Sequence, residues 1–274
     1  MNELIQKVAE EGIVVLKNQH MSDEEFYQKN LTWGKHQESG IHACHEDYPI
    51  IFRVTNKKLP NGKQGLFSRG FLDWHCNNMF CVDPEEVVCL WGKKVIKNAP
   101  TIWAHCTNMY RDLPESLKEE LDSVWVTMSN IHNIKDGGRI YTGAGDLDME
   151  DVIKLDKWNF RTREGLEAGL FDPNFSAKQL KSGRYLIKVK KKLVRIHPVT
   201  GKKVLYFPFG HMSDFPHKDE LIERLMQPQY IYTHEWEEGD IVFSDQLMTI
   251  HKRDATLETE EKRELYRTTF YYDV

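Results

Sequence analysis

WEEGDIVFSDQLMTIH, Trp236 to His251, decides how the rest of the chain is read. A charged turn ending in Gly239-Asp240 gives way to an apolar run that closes on a histidine, the pattern of a buried strand. On one side of it lies YIYTHEW and on the other ELYRTTFYYDV, both rich in the aromatic and β-branched residues that strands favour. The chain is therefore predicted to close on three strands, YIYTHEW, DIVFSDQLMTIH and ELYRTTFYYDV. Upstream, RYLIKVKKKLVRIHP, a TGKK turn and VLYFPF continue the β pattern, interrupted by a helix at KDELIERLM.

The N-terminal half reads in the same way. ELIQKVAEEG predicts a short helix stopped by Gly12, IVVLKN a buried strand, and Ser22 with Glu25 a capping box that starts a second helix, DEEFYQKNL. IIFRV is strand-like, LPNGKQG is a turn, and VVCLWGKKV and PTIWAHCTNMY read as strands, followed by a helix from Leu113-Pro114-Glu115 through Leu121. Residues 135–183 are polar, Gly-containing and weakly periodic. They read as a lid or insertion within one domain spanning 1–274. Many short strands with few helices predict a mainly β barrel or sandwich with flanking helices.

A length of 274 residues suits one large β domain, and 40% hydrophobic with 29% charged residues describes an ordinary globular chain. A net charge of −5 offers no argument for nucleic acid or membrane partners, and the basic run KVKKK (188–192) reads as the wet face of a strand. MNELIQKVAEEG lacks a signal-peptide core, and no run approaches the roughly 18 apolar residues of a membrane helix. Five cysteines (44, 76, 81, 89 and 106) without a CxxC pair read as reduced thiols of a cytoplasmic protein, and CHE at Cys44–Glu46 lacks the second half of a zinc site.

DWHCNNMF, Asp73 to Phe80, carries the chemistry. A histidine followed two residues later by Asp or Glu supplies two ligands of the 2-His-1-carboxylate triad of non-haem iron oxygenases. Here the second position after His75 is Asn77. His251 ends an apolar strand, and Arg267 lies sixteen residues further on in LYRTTF. Two distant histidines on neighbouring strands can share a metal, and an arginine on an adjacent strand offers a bidentate partner for a carboxylate.

Together these segments resemble the TauD/TfdA group of Fe(II)- and 2-oxoglutarate-dependent oxygenases. EEGIVVLKNQHMSDEEF resembles the family's opening helix, strand and helix. DWHCNNMF resembles its WHxD segment, NAPTIWAH its G-G-x-T stretch, and RIHPVTGKKVLYF its HPxTG hairpin. WEEGDIVFSDQLMTIH with RELYRTTF resembles the closing block. The resemblance implies a double-stranded β-helix (a jelly roll, cupin-like) and a dioxygenase using Fe(II), 2-oxoglutarate and O2. It implies His75, His251 and the Asn77 position at the metal, with Thr101 and Arg267 on 2-oxoglutarate. The partner would be a small-molecule substrate; the sequence leaves homo-oligomerisation open.

Two departures stand out: Ser244-Asp245-Gln246 for the family's W-D-N, read as harmless, and Asn77 for the iron carboxylate. Three outcomes compete at Asn77. The protein is an oxygenase that hydroxylates its substrate, with the amide oxygen or water at the metal. Alternatively it is a halogenase with chloride on iron, which the Asp-like size of Asn disfavours. Or it is a catalytically silent binding homologue, natural or an engineered Asp-to-Asn variant. Asp73 flanks His75 on the same face of an extended chain, and more often such a neighbour accepts from a ligand imidazole than binds metal. Arg263, after the charged run ETEEK, is predicted to be solvated. His197 and Pro198 read as hairpin structure; His211 and Phe209, like His42 and His45, are candidates for lining the pocket.

Overall fold

The computed structural model describes residues 2–36, 43–63, 65, 72–79, 85–129, 131–132, 139–140, 176–179, 185–254 and 259–273. The predicted lid at 135–183 therefore lies largely outside the described residues, as do His42 and Cys81. Five α-helices are described: α1 Glu3–Glu11, α2 Asp23–Asn30, α3 Cys106–Arg111, α4 Glu115–Asp122 and α5 Lys218–Leu225. The strands are β1 Ile13–Leu16, β2 Lys35–His36, β3 Phe52–Thr55, β4 Leu72–His75, β5 Val87–Lys94, β6 Thr101–His105, β7 Trp125–Ser129, β8 Ile131–His132 and β9 Arg139–Ile140. They continue with β10 Ser176–Gln179, β11 Tyr185–Lys192, β12 Val194–Ile196, β13 Lys203–Leu205, β14 Ile231–His234, β15 Ile241–Asp245, β16 Thr249–Arg253 and β17 Glu264–Tyr271.

Two sheets matter for the site. The larger runs β1-β15-β5-β17-β2, with β3 also on β17; the smaller runs β14-β6-β16-β4, and the described pairings within both are antiparallel. Side chains alternate across each strand, and β5 shows what that does. Val88 and Leu90 face the smaller sheet and join Phe52, Val54, Trp103, Trp236, Val242 and Leu265 in the core between the sheets. Val87, Cys89 and Trp91 face outward, yet they are buried because α1 and α2 cover them with Ile5, Val8 and Phe26. The strand thus reads as a continuous apolar run. Burying a side chain such as Phe26 contributes ~1.5–3 kcal/mol, so the N-terminal helices anchor the sheet that carries Arg267. A third cluster packs α3, α4 and α5 beneath the smaller sheet through Met109, Leu117, Leu121, Leu221 and Leu225.

Both predicted N-terminal helices form, with the Ser22–Glu25 capping box in place and Gly12 at φ +80° ending α1. A Cβ at Gly12 would lie 2.6 Å from His105 Nε2, so the turn needs glycine for space as well as for its backbone angle.

Three predicted segments differ. PTIWAHCTNMY is strand only to His105, whose Nδ1 accepts from Asn108 N at 3.2 Å and caps α3. DIVFSDQLMTIH is two strands in two different sheets. Asp245 Oδ1 accepts from Leu247 N and Met248 N, at 2.7 and 3.0 Å, and turns the chain between them. In KVKKK, Lys190 is exposed but Lys191 is fully buried, donating to Met79 O at 3.1 Å. The alternation of the strand turns it inward.

Candidate active site

The smaller sheet brings His75 and His251 together. They are direct cross-strand partners of β4 and β16, with ring centroids 4.2 Å apart. Such partners point to one face of a sheet, here into the space between the sheets. His75 Nδ1 lies 2.6 Å from the Asp73 carbonyl oxygen. A carbonyl only accepts, so Nδ1 donates and the lone pair stays on Nε2, the tautomer of a metal-binding histidine. His251 Nδ1 is buried without a hydrogen-bond partner among the described residues. Burial lowers the His75 imidazole to about 4, reinforced by the Arg267 charge. Burial, then His75 and Arg267, hold His251 well below the ordinary range. Both rings are neutral at pH 7, the form that can ligate.

Asn77 follows β4 in a turn, and Asn78 beside it takes a left-handed φ of 50°. Asn77 is buried and lines the same cavity as the histidines. Its backbone N–H donates to Gln246 Oε1 at 2.9 Å, while its Nδ2 has no acceptor among the described residues. Gln246, in the segment read as harmless, thus braces the turn that carries Asn77. Asp73 Oδ1 accepts from Trp74 N at 2.8 Å, and Asp73 serves His75 through its backbone carbonyl. Among the described residues no three His, Cys, Asp or Glu side chains form a group that could hold a metal ion; beside the two imidazoles the cavity is lined by the Asn77 amide.

The cavity holds about 430 Å³ of empty space, counting its open mouth. Thr101 at the start of β6 lines it, and so does Arg267 on β17, which brings together all five residues singled out in the sequence. Arg267 stacks its guanidinium 4.6 Å from the ring of Phe52, its register partner on β3. Val54, Val88, Leu90 and Leu265 supply apolar walls.

Arg263 is buried at 2% exposure and lines the cavity, against the expectation of a solvated side chain. Its backbone pairs with Asn56, donating to Oδ1 at 2.9 Å and accepting from N at 3.3 Å. The ladder therefore extends one residue past the strand and turns Arg263, Leu265 and Arg267 to one face. Lys262 and Glu264 form an ion pair at 2.8 Å on the other face. Arg253, two residues beyond His251 and also cavity-lining, was missed, although the period of two signals it. Burial and then the Arg253 charge push the Arg263 guanidinium down to about 9.

Other candidates lie elsewhere. His45 sits against Asp23, 3.4 Å away, and Tyr266 on the outer face of β17. His197, in the hairpin as expected, pairs with buried Asp245 at 2.7 Å. His211 lies 3.2 Å from the Ser129 carbonyl through Nδ1, and neither it nor Phe209 is among the cavity-lining residues.

A pentalenolactone F synthase of Streptomyces avermitilis is 24% identical over 243 residues, 83% of this chain and 70% of that protein. The crystal structure of AAD-2 in complex with Mn(II) and N-oxalylglycine superposes with TM-score 0.66 at 21% identity, covering 99% of this chain and 89% of that one. A taurine dioxygenase from Burkholderia xenovorans does so with TM-score 0.63 at 16% identity, covering 100% and 82%. The predicted jelly roll is therefore the observed fold. The pattern of the taurine catabolism dioxygenase TauD, TfdA family matches residues 1–269, and the chain belongs to that family of Fe(II)- and 2-oxoglutarate-dependent dioxygenases.

Proposed function

We propose that this protein hydroxylates, or otherwise oxidises, a small organic molecule, with His75, His251 and the Asn77 position holding Fe(II) and Thr101 and Arg267 holding 2-oxoglutarate. One observation carries the reading: the paired histidines share a cavity with Asn77, Thr101 and Arg267. The residues fit the metal. Two neutral imidazoles, one with its lone pair directed by the Asp73 carbonyl, are suitable donors for Fe(II). Bound iron, with 2-oxoglutarate and O2, supplies the oxidising power to break a substrate C–H bond. The chain's own residues bind and orient. Arg267, held flat against Phe52, offers its planar fork to a carboxylate. Thr101 adds a hydroxyl donor, and the apolar walls keep water from the reacting atoms.

The test is anaerobic addition of Fe(II) and 2-oxoglutarate. A weak visible charge-transfer band, followed by succinate formation on admitting O2, is the expected result. If neither the wild type nor Asn77→Asp consumes 2-oxoglutarate with Fe(II) across a broad small-molecule panel, the silent binding reading replaces this one.

A halogenase is the second reading. The Nδ2 donor of Asn77, buried without an acceptor among the described residues, favours an anion nearby. Against it stands the bulk of the amide, which fills the space a chloride ligand needs. Chloride-dependent products from the wild type would make halogenation the leading reading.

A further inference from the structure

We propose that Trp236 is a positioning residue for 2-oxoglutarate: its indole N–H occupies a lone pair of Thr101 and thereby directs the Thr101 hydroxyl proton at the distal carboxylate in the cavity. This rests on the reading of Thr101 given above. Trp236 Nε1 lies 3.0 Å from Thr101 Oγ1, and both side chains are buried. An indole nitrogen only donates, so the direction of this bond is fixed and Thr101 accepts. A threonine hydroxyl has one proton to give. Among the described residues no acceptor takes it, while Thr101 lines the cavity with the histidines and Arg267. A carboxylate there completes the hydroxyl's bonding with a charge-assisted bond.

The indole is itself held in place. The His234 ring meets it edge to face, with centroids 4.7 Å apart. Gly92 leaves room for it on β5; a Cβ there would lie 3.0 Å from Trp236 Cε3. Buried Asp240 fastens the segment around it, since Oδ2 takes Lys17 Nζ at 2.8 Å and both His234 Nε2 and Glu237 N at 3.0 Å. Tyr232 OH, 3.0 Å from His234 Nδ1, fixes the other side of that ring. A hydroxyl oriented before the ligand arrives loses little freedom on binding.

The experiment is a double-mutant cycle on the Fe(II) enzyme, read as 2-oxoglutarate affinity from the charge-transfer band and as KM against kcat. Trp236→Phe keeps a ring against Gly92 and His234 but removes the N–H. We expect it to weaken 2-oxoglutarate by about three- to tenfold, the range of one modest hydrogen bond, with kcat at saturation unchanged. Pyruvate, a 2-oxo acid without a distal carboxylate, should bind wild type and variant equally. In a Thr101→Val background the Trp236→Phe effect should vanish; in Thr101→Ser, which keeps the hydroxyl, it should persist. Should Trp236→Phe fold poorly, a benzothienyl analogue of tryptophan at 236 removes the N–H while keeping the bicyclic ring. If Thr101→Val leaves 2-oxoglutarate affinity unchanged, the assignment of Thr101 fails and the proposal with it. If Thr101→Val weakens binding but the Trp236 effect is absent, persists in Thr101→Val, or is equal for pyruvate, the proposal alone is overturned.

Discussion

The two sheets contribute different chemistry to one cavity. The smaller sheet supplies His75, His251 and Thr101, neutral groups suited to a metal and a hydrogen bond, and the larger supplies Arg267, a fixed charge. The same burial acts on both sets. It strips the proton from imidazoles, whose ordinary pKa is about 6.5, while guanidinium starts near 12.5 or above and stays charged. Hence one enclosed space presents lone pairs from one wall and positive charge from the other. A metal-chelating ligand with a distal carboxylate matches that polarity. Arg253 complicates the division, because it extends from the smaller sheet toward Arg263.

The largest expected effect comes from breaking the metal wall. His251→Ala should lower Fe(II) affinity by more than the roughly 10–100-fold that loss of an outer hydrogen-bond partner costs, and abolish measurable 2-oxoglutarate consumption. Metal titration of the purified variant checks this, and wild-type affinity would remove His251 from the site.

Next is the charged wall. Arg267→Ala should weaken 2-oxoglutarate by about 2–4 kcal/mol, roughly 30- to 700-fold, as expected when a buried charge pair loses one member. Arg263→Ala and Arg253→Ala, measured by the same titration, sharpen the contrast. An unchanged affinity in Arg267→Ala with a loss in Arg263→Ala transfers the role to Arg263.

Asn77→Asp should produce a smaller change of opposite sign. A carboxylate donates more charge to a hard divalent cation than an amide oxygen. Fe(II) should bind about tenfold tighter, ~1.4 kcal/mol, with faster 2-oxoglutarate turnover. Equal or weaker binding would separate Asn77 from the metal. Asn77→Gly, which opens the position, is the variant in which chloride-dependent products should be sought.

The smallest effect tests the boundary of the comparison, on the outer face of the strand that holds Arg267. Tyr266 OH donates to Asp23 Oδ2 at 2.9 Å, tying α2 to the sheet. Tyr266→Phe should cost ~1 kcal/mol of stability, seen in denaturant unfolding, and leave 2-oxoglutarate affinity as it was. A large affinity loss would mean that the outer network also positions the cavity.

Much of the cavity was legible in the sequence because strand alternation and the closing block constrain it. His75, Asn77, Thr101, His251 and Arg267 all line one space. Arg263 was misread because its charged neighbours suggested solvent, whereas alternation sends Lys262 and Glu264 outward and Arg263 inward. The break inside DIVFSDQLMTIH was hidden for a different reason. Gln246 to Met248 are as buried as the strands on either side, and only Asp245, hydrogen-bonded to the backbone ahead of it, signals a turn. Lys191 was lost in a basic run that looked uniformly wet. The contacts of Trp236 with Thr101, and of Gln246 with Asn77, join residues 135 and 169 positions apart, where no local pattern reaches.

The direct pairing of His75 with His251 also governs when the site comes into being. These strands meet across most of the chain's length, and such long-range pairing is among the slowest events in forming a fold. Neither half of the polypeptide, by itself, holds more than one of the two imidazoles. Metal uptake during refolding should therefore lag behind helix formation and coincide with closure of the smaller sheet. Metal held by this pair, preferring the native state by mass action, would favour the closed sheet over its open precursors, and the ion proposed for catalysis would double as a clasp on the finished architecture.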